Sequence, residues 1–189
     1  ATDDRSGVAA YGLQAQAGGG SWSTVFGTST ARSTNRTLTF GTGYGFRDRA
    51  RDGAGNWGAY ATAPPVTALR YQDTSSRITY SSSWRGYSSS SASGGHTRYA
   101  TRSGSAATFR FTGRAFALIA PKGPTRGSAR LYVDGVYVST VSLNRSSTSP
   151  RVVVAGRSWS TSAAHTVRLV VVGTARHPRF DIDAFAILR

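Results

Sequence analysis

Apolar and polar residues alternate along this chain in short bursts, and none of the bursts has helical spacing. Residues 8–17 alternate loosely and stop at Gly18-Gly19-Gly20. Trp22, Thr24 and Phe26 follow with period two, and residues 37–40 read as another short strand closed by Gly41-Thr42-Gly43. Tyr44, Phe46, Asp48 and Ala50 alternate against Gly45, Arg47, Arg49 and Arg51. A turn over 52–56 leads to one more strand from Trp57 to Tyr60. Later, Ile78 and Tyr80 open a strand and Trp84 follows a turn. Phe109 and Phe111 alternate with Thr108, Arg110 and Thr112, and 115–120 is a short apolar run. The clearest signal is 130–138, a strand, an Asp134-Gly135 two-residue turn and a second strand. Asp-Gly suits a type I′ turn because both central residues need positive φ. Residues 151–154, 165–172 and 180–187 are further strands. The pattern predicts an all-β protein of short strands and turns, built as two β-sandwiches.

Composition strengthens this reading. All eight acidic residues are Asp, and Lys122 is the sole lysine beside 22 Arg. Glu and Lys furnish most helix surfaces, so their near absence excludes an amphipathic-helix protein. No apolar run approaches the roughly 20 residues of a membrane helix. With no Cys, disulfides, zinc–thiolate centres and cysteine nucleophiles are excluded. Met is also absent, so a processed product or a portion of a longer protein is expected.

The Pro64-Pro65 pair marks a break, because proline cannot continue a strand ladder. The expected organisation is a domain over 1–63, a linker over 64–69 and a domain over 70–189. Residues 1–65 carry a net charge of +2 and residues 66–189 carry +13, so the basic character belongs to the second domain.

Two resemblances follow from particular residues. Ala1-Thr-Asp-Asp4, Ser6-Gly-Val-Ala9 with Tyr11, then Tyr44-Gly-Phe-Arg-Asp-Arg-Ala50, Asp52-Gly-Ala-Gly-Asn56 and Trp57 resemble fibronectin type III and bacterial Ig-like domains. Such domains normally have two strands before the Ala-Thr-Asp-Asp turn. The resemblance therefore implies a truncated N-terminal sandwich with an open edge, and an Ala1 that falls inside a domain of a longer protein. Tyr71-Gln-Asp73, residues 78–84, Gly95-His-Thr97, residues 107–113, Val133-Asp-Gly135 and Phe180-Asp-Ile-Asp183 are similar to the galactose-binding-like jelly rolls. These include many non-catalytic carbohydrate-binding modules. The superfamily also holds binders of lipids, proteins and nucleic acids, so the likeness implies a fold more firmly than a ligand.

Chemistry-bearing motifs are few. His96, His165 and His177 lack metal-ligand spacing, and no nucleophile elbow, phosphate loop or dinucleotide fingerprint occurs. Asp181 and Asp183 lie two apart in a strand and are expected on one face. The alternative to chemistry is that one of them pairs with an Arg and the other is solvated. In related modules an acidic residue of the last strand helps hold a structural calcium with a Glu from the first. Here Asp73 would have to replace that Glu. No metal site and no cofactor is expected, and calcium is the one alternative left open.

Trp84, Tyr87 and Tyr99 cluster in sequence with Arg85, Arg98 and Arg102 around a Ser-rich loop. An exposed ring can stack on a sugar and an Arg can bind hydroxyls or a carboxylate bidentately. Trp84 follows an alternating strand, which also suits a core position. Residues 121–126, with Lys122 and Arg126, form a second candidate binding loop, equally readable as a rigid turn. The candidate ligand-binding residues are therefore Trp84, Tyr87, Arg98, Tyr99, Lys122 and Arg126.

The +13 of the second domain attracts polyanions. A GC-rich coding bias explains Arg in place of Lys but not the scarcity of acids. No recognition helix, aromatic ribonucleoprotein motif or zinc finger is present, so nucleic acid is disfavoured as a specific partner. The expected function is a non-catalytic binding module of a larger secreted bacterial protein, taking a polysaccharide or cell-surface glycan, with an acidic glycan favoured by the charge. The alternative is an extracellular structural or adhesive protein whose sandwich edges assemble with partner chains. An enzyme is not expected.

Overall fold

A computed structural model describes residues 7–189. The chain divides into two compact units, one ending at Ala68 and one spanning Leu69–Arg189. The Ala1–Asp4 turn and Ser6, on which part of the first resemblance rests, lie outside the described residues.

In the first unit, β1 (Val8–Ala17) is flanked by β2 (Ser23–Ser29) and β3 (Gly43–Asp52), both antiparallel. The far edge of β3 takes β4 (Ala61–Thr62) and the first residues of β5 (Val66–Gln72). The expected linker over 64–69 is thus partly a strand: Val66 pairs with Tyr44 and Thr67 with Gly43. The strand expected at residues 37–40 is absent. That segment is not in strand conformation, and the Thr39 N–H donates to the Tyr44 hydroxyl at 3.1 Å. Four residues with no neighbouring strand cannot satisfy a ladder. The strand expected from Trp57 is reduced to one bridge with Arg51, and pairing resumes at Ala61.

The alternation in β3 is realised in full. Arg47, Arg49 and Arg51 lie opposite Gln14, Gly12 and Ala10 on one face, while Tyr44, Phe46, Asp48 and Ala50 lie opposite Ala17, Ala15, Leu13 and Tyr11 on the other. Ala15 and Tyr44 are buried on that second face.

The second unit comprises β6 (Ile78–Tyr80), β7 (Arg85–Ser88), β8 (His96–Ala100), β9 (Ala106–Lys122), β10 (Ser128–Val133), β11 (Val136–Ser142), β12 (Ser149–Val171), β13 (Phe180–Ile182) and β14 (Ala184–Leu188). The larger sheet runs β11-β10-β12-β9-β14, and β6 pairs with the first part of β9. A smaller sheet runs β13-β8-β7. Their inner faces share one core that includes Phe109, Leu118, Leu169, Phe180, Ile182 and Phe185. This is the all-β sandwich expected for the chain. The strands expected at 108–113 and 115–120 are one continuous element, β9. Its buried positions are odd-numbered up to Gly113 and even-numbered from Phe116. A change of parity requires a local irregularity, and the partner strand supplies one: β12 has an extra segment between Ser158 and Ala163.

The 134–135 turn has the expected geometry, with φ of +52° at Asp134 and +82° at Gly135. The Asp134 side chain also ties the hairpin to β12. Its Oδ1 accepts the Thr166 N–H at 2.7 Å, and its Oδ2 lies 2.8 Å from His165 Nδ1. The His165 ring stacks on Trp159 with centroids 3.7 Å apart. Partial burial pushes the Asp134 carboxyl up, but the Thr166 N–H and the His165 contact outweigh it and hold the group below its ordinary value. A lowered folded-state value contributes stability above the unfolded value and loses it as pH falls through the folded one. The melting temperature should therefore drop as pH falls below the usual carboxylate range, and Asp134→Asn should show a shallower acid drop than the parent in a pH series of thermal melts.

Candidate functional site

The smaller sheet carries the site on its outer face. Register puts Phe180 beside Ala100, Asp181 beside Tyr99 and Ile182 beside Arg98, while Arg85 lies opposite Tyr99 and Tyr87 opposite Thr97. Side chains two apart share a face, so Tyr87, Thr97, Tyr99 and Asp181 lie on the outer side and Phe180, Ala100, Ile182 and Arg98 on the inner.

Asp181 anchors this face. It is fully buried and accepts from two arginines. Arg126 Nε donates to its Oδ2 at 3.0 Å, and Arg179 Nη2 donates to its Oδ1 at 2.6 Å. Paired and charge-assisted bonds of this type are strong and geometrically specific. The Arg179 guanidinium then serves as a floor for the aromatics, 4.1 Å from the Tyr99 ring centroid and 4.7 Å from that of Tyr87. The two tyrosines meet edge to face at 6.5 Å. Tyr87 remains 48% exposed, which leaves ring surface for a ligand.

Beside this cluster lies a cleft of about 320 Å³ lined by Tyr87, Thr97, Arg126, Pro150, Arg151 and Asp183 among others. Arg151 has φ of +50° at a register irregularity of β12, between Ser149 and Val152. Holding a non-glycine residue there costs about 1 kcal/mol or more, and such strain gathers at binding sites. The bulge brings Arg151 to the cleft wall.

Asp183 lies at the crossing from the smaller sheet to the larger. Both of its oxygens accept the Ser93 N–H, at 2.9 and 3.1 Å. Burial pushes its carboxyl up, Asp73 adds to that, and the Ser93 N–H and Arg151 oppose it. Asp73, also buried, places Oδ2 2.6 Å from His96 Nδ1, and its own N–H donates to the Asp183 carbonyl at 3.0 Å. The calcium alternative needed these two carboxylates to gather oxygen ligands. They face N–H donors instead, and no group of three or more acidic, His or Cys side chains among the described residues could hold a metal. The donor set does not fit calcium.

Two expectations about the acids change. Asp181 and Asp183 do not share one face of a strand, because the strand ends at Ile182 and all residues from Phe180 to Phe185 are buried. A segment passing between two sheets is covered on both sides, and period two no longer separates in from out. One Asp does pair with Arg, but the other is buried rather than solvated.

The six candidate residues separate clearly. Tyr87, Tyr99 and Arg126 come together. Trp84 does not join them: only 7% exposed, it packs in the core against Tyr80 at 5.2 Å. It ends the tight turn after β6, which folds the indole under the sheet. Arg98 is on the inner side, with its guanidinium 4.9 Å over Tyr80, because a neighbour of Tyr99 must point the opposite way. Lys122 closes β9 opposite Ser149 and is not among the cleft-lining residues. Arg179 and Arg151 were missed. The Arg179-Phe-Asp181 spacing was a usable signal, since residues two apart on a strand can pair. Nothing in the sequence pointed to Arg151, whose role depends on a bulge.

No family model matches the chain, and no curated protein matches it. Several solved structures are similar in shape. A Paenibacillus xanthan lyase is 11% identical, over 76% of this chain and 20% of its own, with a TM-score of 0.50. The Agl-KA catalytic domain is 17% identical over 64% and 27%, with a TM-score of 0.46. An exo-beta-1,3-galactanase from Phanerochaete chrysosporium is 14% identical over 89% and 36%, with a TM-score of 0.45. The chain thus spans between a fifth and just over a third of these structures. At such identity the likeness to the xanthan lyase concerns fold alone.

Proposed function

We propose that the second unit is a non-catalytic carbohydrate-binding module that works as part of a larger secreted protein. Its ligand would occupy the cleft beside Tyr87. The observation that carries this reading is a half-exposed tyrosine ring held rigid by Arg179 at the mouth of a cleft walled by Arg126 and Arg151. A ring with one free face suits the apolar side of a sugar. Two arginines among the lining residues suit a carboxylate on that sugar, so an acidic glycan is the favoured class. A non-catalytic role is supported by the state of the acids. Asp181 is committed to two arginines, and Asp183 is the single carboxylate among the cleft-lining residues, so no pair of carboxylates faces a ligand there.

Calorimetric titration at low salt with an oligogalacturonate and with a neutral glucan tests the reading. The acidic glycan should bind more tightly. Tyr87→Ala should weaken it about tenfold, the equivalent of about 1.4 kcal/mol, without altering the fold. Unchanged affinity in Tyr87→Ala, or no binding to either polymer, would overturn the assignment.

A further inference from the structure

The first unit holds a different cationic array, on the Arg face of β3. Arg47, Arg49 and Arg51 point to the same side at intervals of two residues, about 7 Å apart along an antiparallel strand. Aromatic rings alternate with them. The Arg47 guanidinium carbon lies 4.4 Å from the Trp22 centroid and 4.3 Å from that of Tyr60. Arg49 lies 4.7 Å from Tyr60 and 4.4 Å from Trp57. Arg51 lies 5.9 Å from Trp57. A Cβ at Gly12, opposite Arg49, would lie 3.0 Å from the Gly27 carbonyl oxygen and 3.4 Å from the Trp57 ring, and the Gln14 side chain accepts from Arg47 Nε at 2.8 Å.

Three features make the array more than a packing device. First, none of the three guanidinium groups is in an ion pair with a carboxylate among the described residues. Second, the hydrogen bonds that Arg47 and Arg51 make among the described residues use Nε alone, to Gln14 Oε1 and to the Gly55 carbonyl, and Arg49 Nε is buried, which leaves the Nη donors of the row for a ligand. Third, ring contacts hold these flat groups: Arg47 and Arg49 each lie within 4.7 Å of two ring centroids and Arg51 lies 5.9 Å from one, while all N–H bonds of a guanidinium lie in its plane. A row of plates held at constant spacing offers in-plane donors at constant spacing, at little entropic cost to a ligand.

The ligand must match charge and repeat, and it cannot use stacking. The rings at the heart of the row already have guanidinium groups against them, so neither a sugar face nor a base can lie there. What remains is an anion at each step. An extended phosphodiester chain has as many backbone bonds between successive phosphates as a dipeptide has, so its charges repeat in step with alternate residues of a strand. We propose that the Arg47–Arg49–Arg51 row binds a linear phosphodiester polymer through its backbone, one phosphate per arginine. A polyol phosphate and a single-stranded nucleic acid share this chemistry, and the site would read neither base nor sugar.

The test uses the full chain with two probes, poly(glycerol phosphate) and oligothymidylate, and with neutral dextran as reference. Both phosphodiester probes should bind with similar affinity and dextran should not. Because the whole chain is strongly basic, the decisive comparison is between single charge removals. Arg49→Gln should weaken both probes about tenfold and reduce the salt slope of log K by about 0.7. Arg145→Gln, an exposed position in the second unit, should change affinity less than about twofold. Equal losses in the two variants would mean a diffuse charge effect and would overturn the proposal. Arginine footprinting of the unmodified protein with phenylglyoxal gives a reading that no mutant misfolding can blur. Either probe should protect Arg47, Arg49 and Arg51, and protection confined to arginines beyond residue 68 would overturn the proposal. An acidic glycan failing at the Tyr87 cleft would leave these readouts unaffected.

Discussion

Replacing Asp181 with alanine should destabilise the second unit by about 3–5 kcal/mol and abolish ligand binding at the cleft together with it. The carboxylate is wholly buried, and it is the acceptor for both Arg126 and Arg179. Those arginines are themselves largely covered, with 17% and 21% of their side-chain surface exposed. Removing the acid leaves two cations near each other without compensation, and that penalty exceeds what the ion pairs add in the intact protein. Arg179 would also lose the bonds that hold it flat against Tyr99 and Tyr87. Asp181→Asn keeps the shape and one acceptor oxygen, so it should cost less than the alanine variant while still weakening the ligand. Urea denaturation of the three proteins, with midpoints compared at unchanged m, gives the stability order. An alanine variant within about 1 kcal/mol of the parent would show that water replaces the carboxylate and that Arg179 is held by the tyrosines alone.

The legible parts of this fold were those governed by one neighbour at a time. The Arg/aromatic alternation of β3 and the Asp134-Gly135 turn are local statements about backbone period and φ, and both are realised. Residues 37–40 failed for the complementary reason. Their apolar content resembles a strand, yet a strand also needs an edge to pair with, which a linear pattern does not show. The site was legible only in part. Tyr87, Tyr99 and Arg126 could be proposed from residue type, although their union depends on β13 lying beside β8. Grouping Arg98 with Tyr99 ignored the strand period, since adjacent residues on a strand face opposite ways. Trp84 shows how residue type misleads: the same indole serves a binding surface or a core, and the depth of the turn after β6 decides which. Arg151 reaches the cleft through an irregularity in a long strand, a feature set by the pairing of β12 with β9 rather than by the residues near it.

Phe109→Ala should cost about 3–5 kcal/mol, the largest loss expected from any single apolar truncation in the chain. Phe109 is fully buried and lies at the crossing of two sets of contacts. Across the sheet, Ile78, Phe109, Val167 and Val133 stand opposite one another on β6, β9, β12 and β10, and all four are buried. Around it, the ring stacks on Phe185 at 4.4 Å and on Phe111 at 5.2 Å, with Tyr71 tilted at 5.5 Å. Deleting the ring removes the transfer energy of a buried aromatic and leaves a cavity that these neighbours, fixed on six different strands, cannot close. Phe109→Leu should lose far less, about 1.5 kcal/mol, because most of the volume stays filled. The adjacent Arg110→Ala should lie within about 0.5 kcal/mol of the parent, since Arg110 is on the solvent side of the same strand. The three unfolding midpoints together test the inner and outer faces of β9. If Phe109→Ala were tolerated at a cost near that of Arg110→Ala, the strand would have to lie one residue out of register, and every assignment of its faces would reverse.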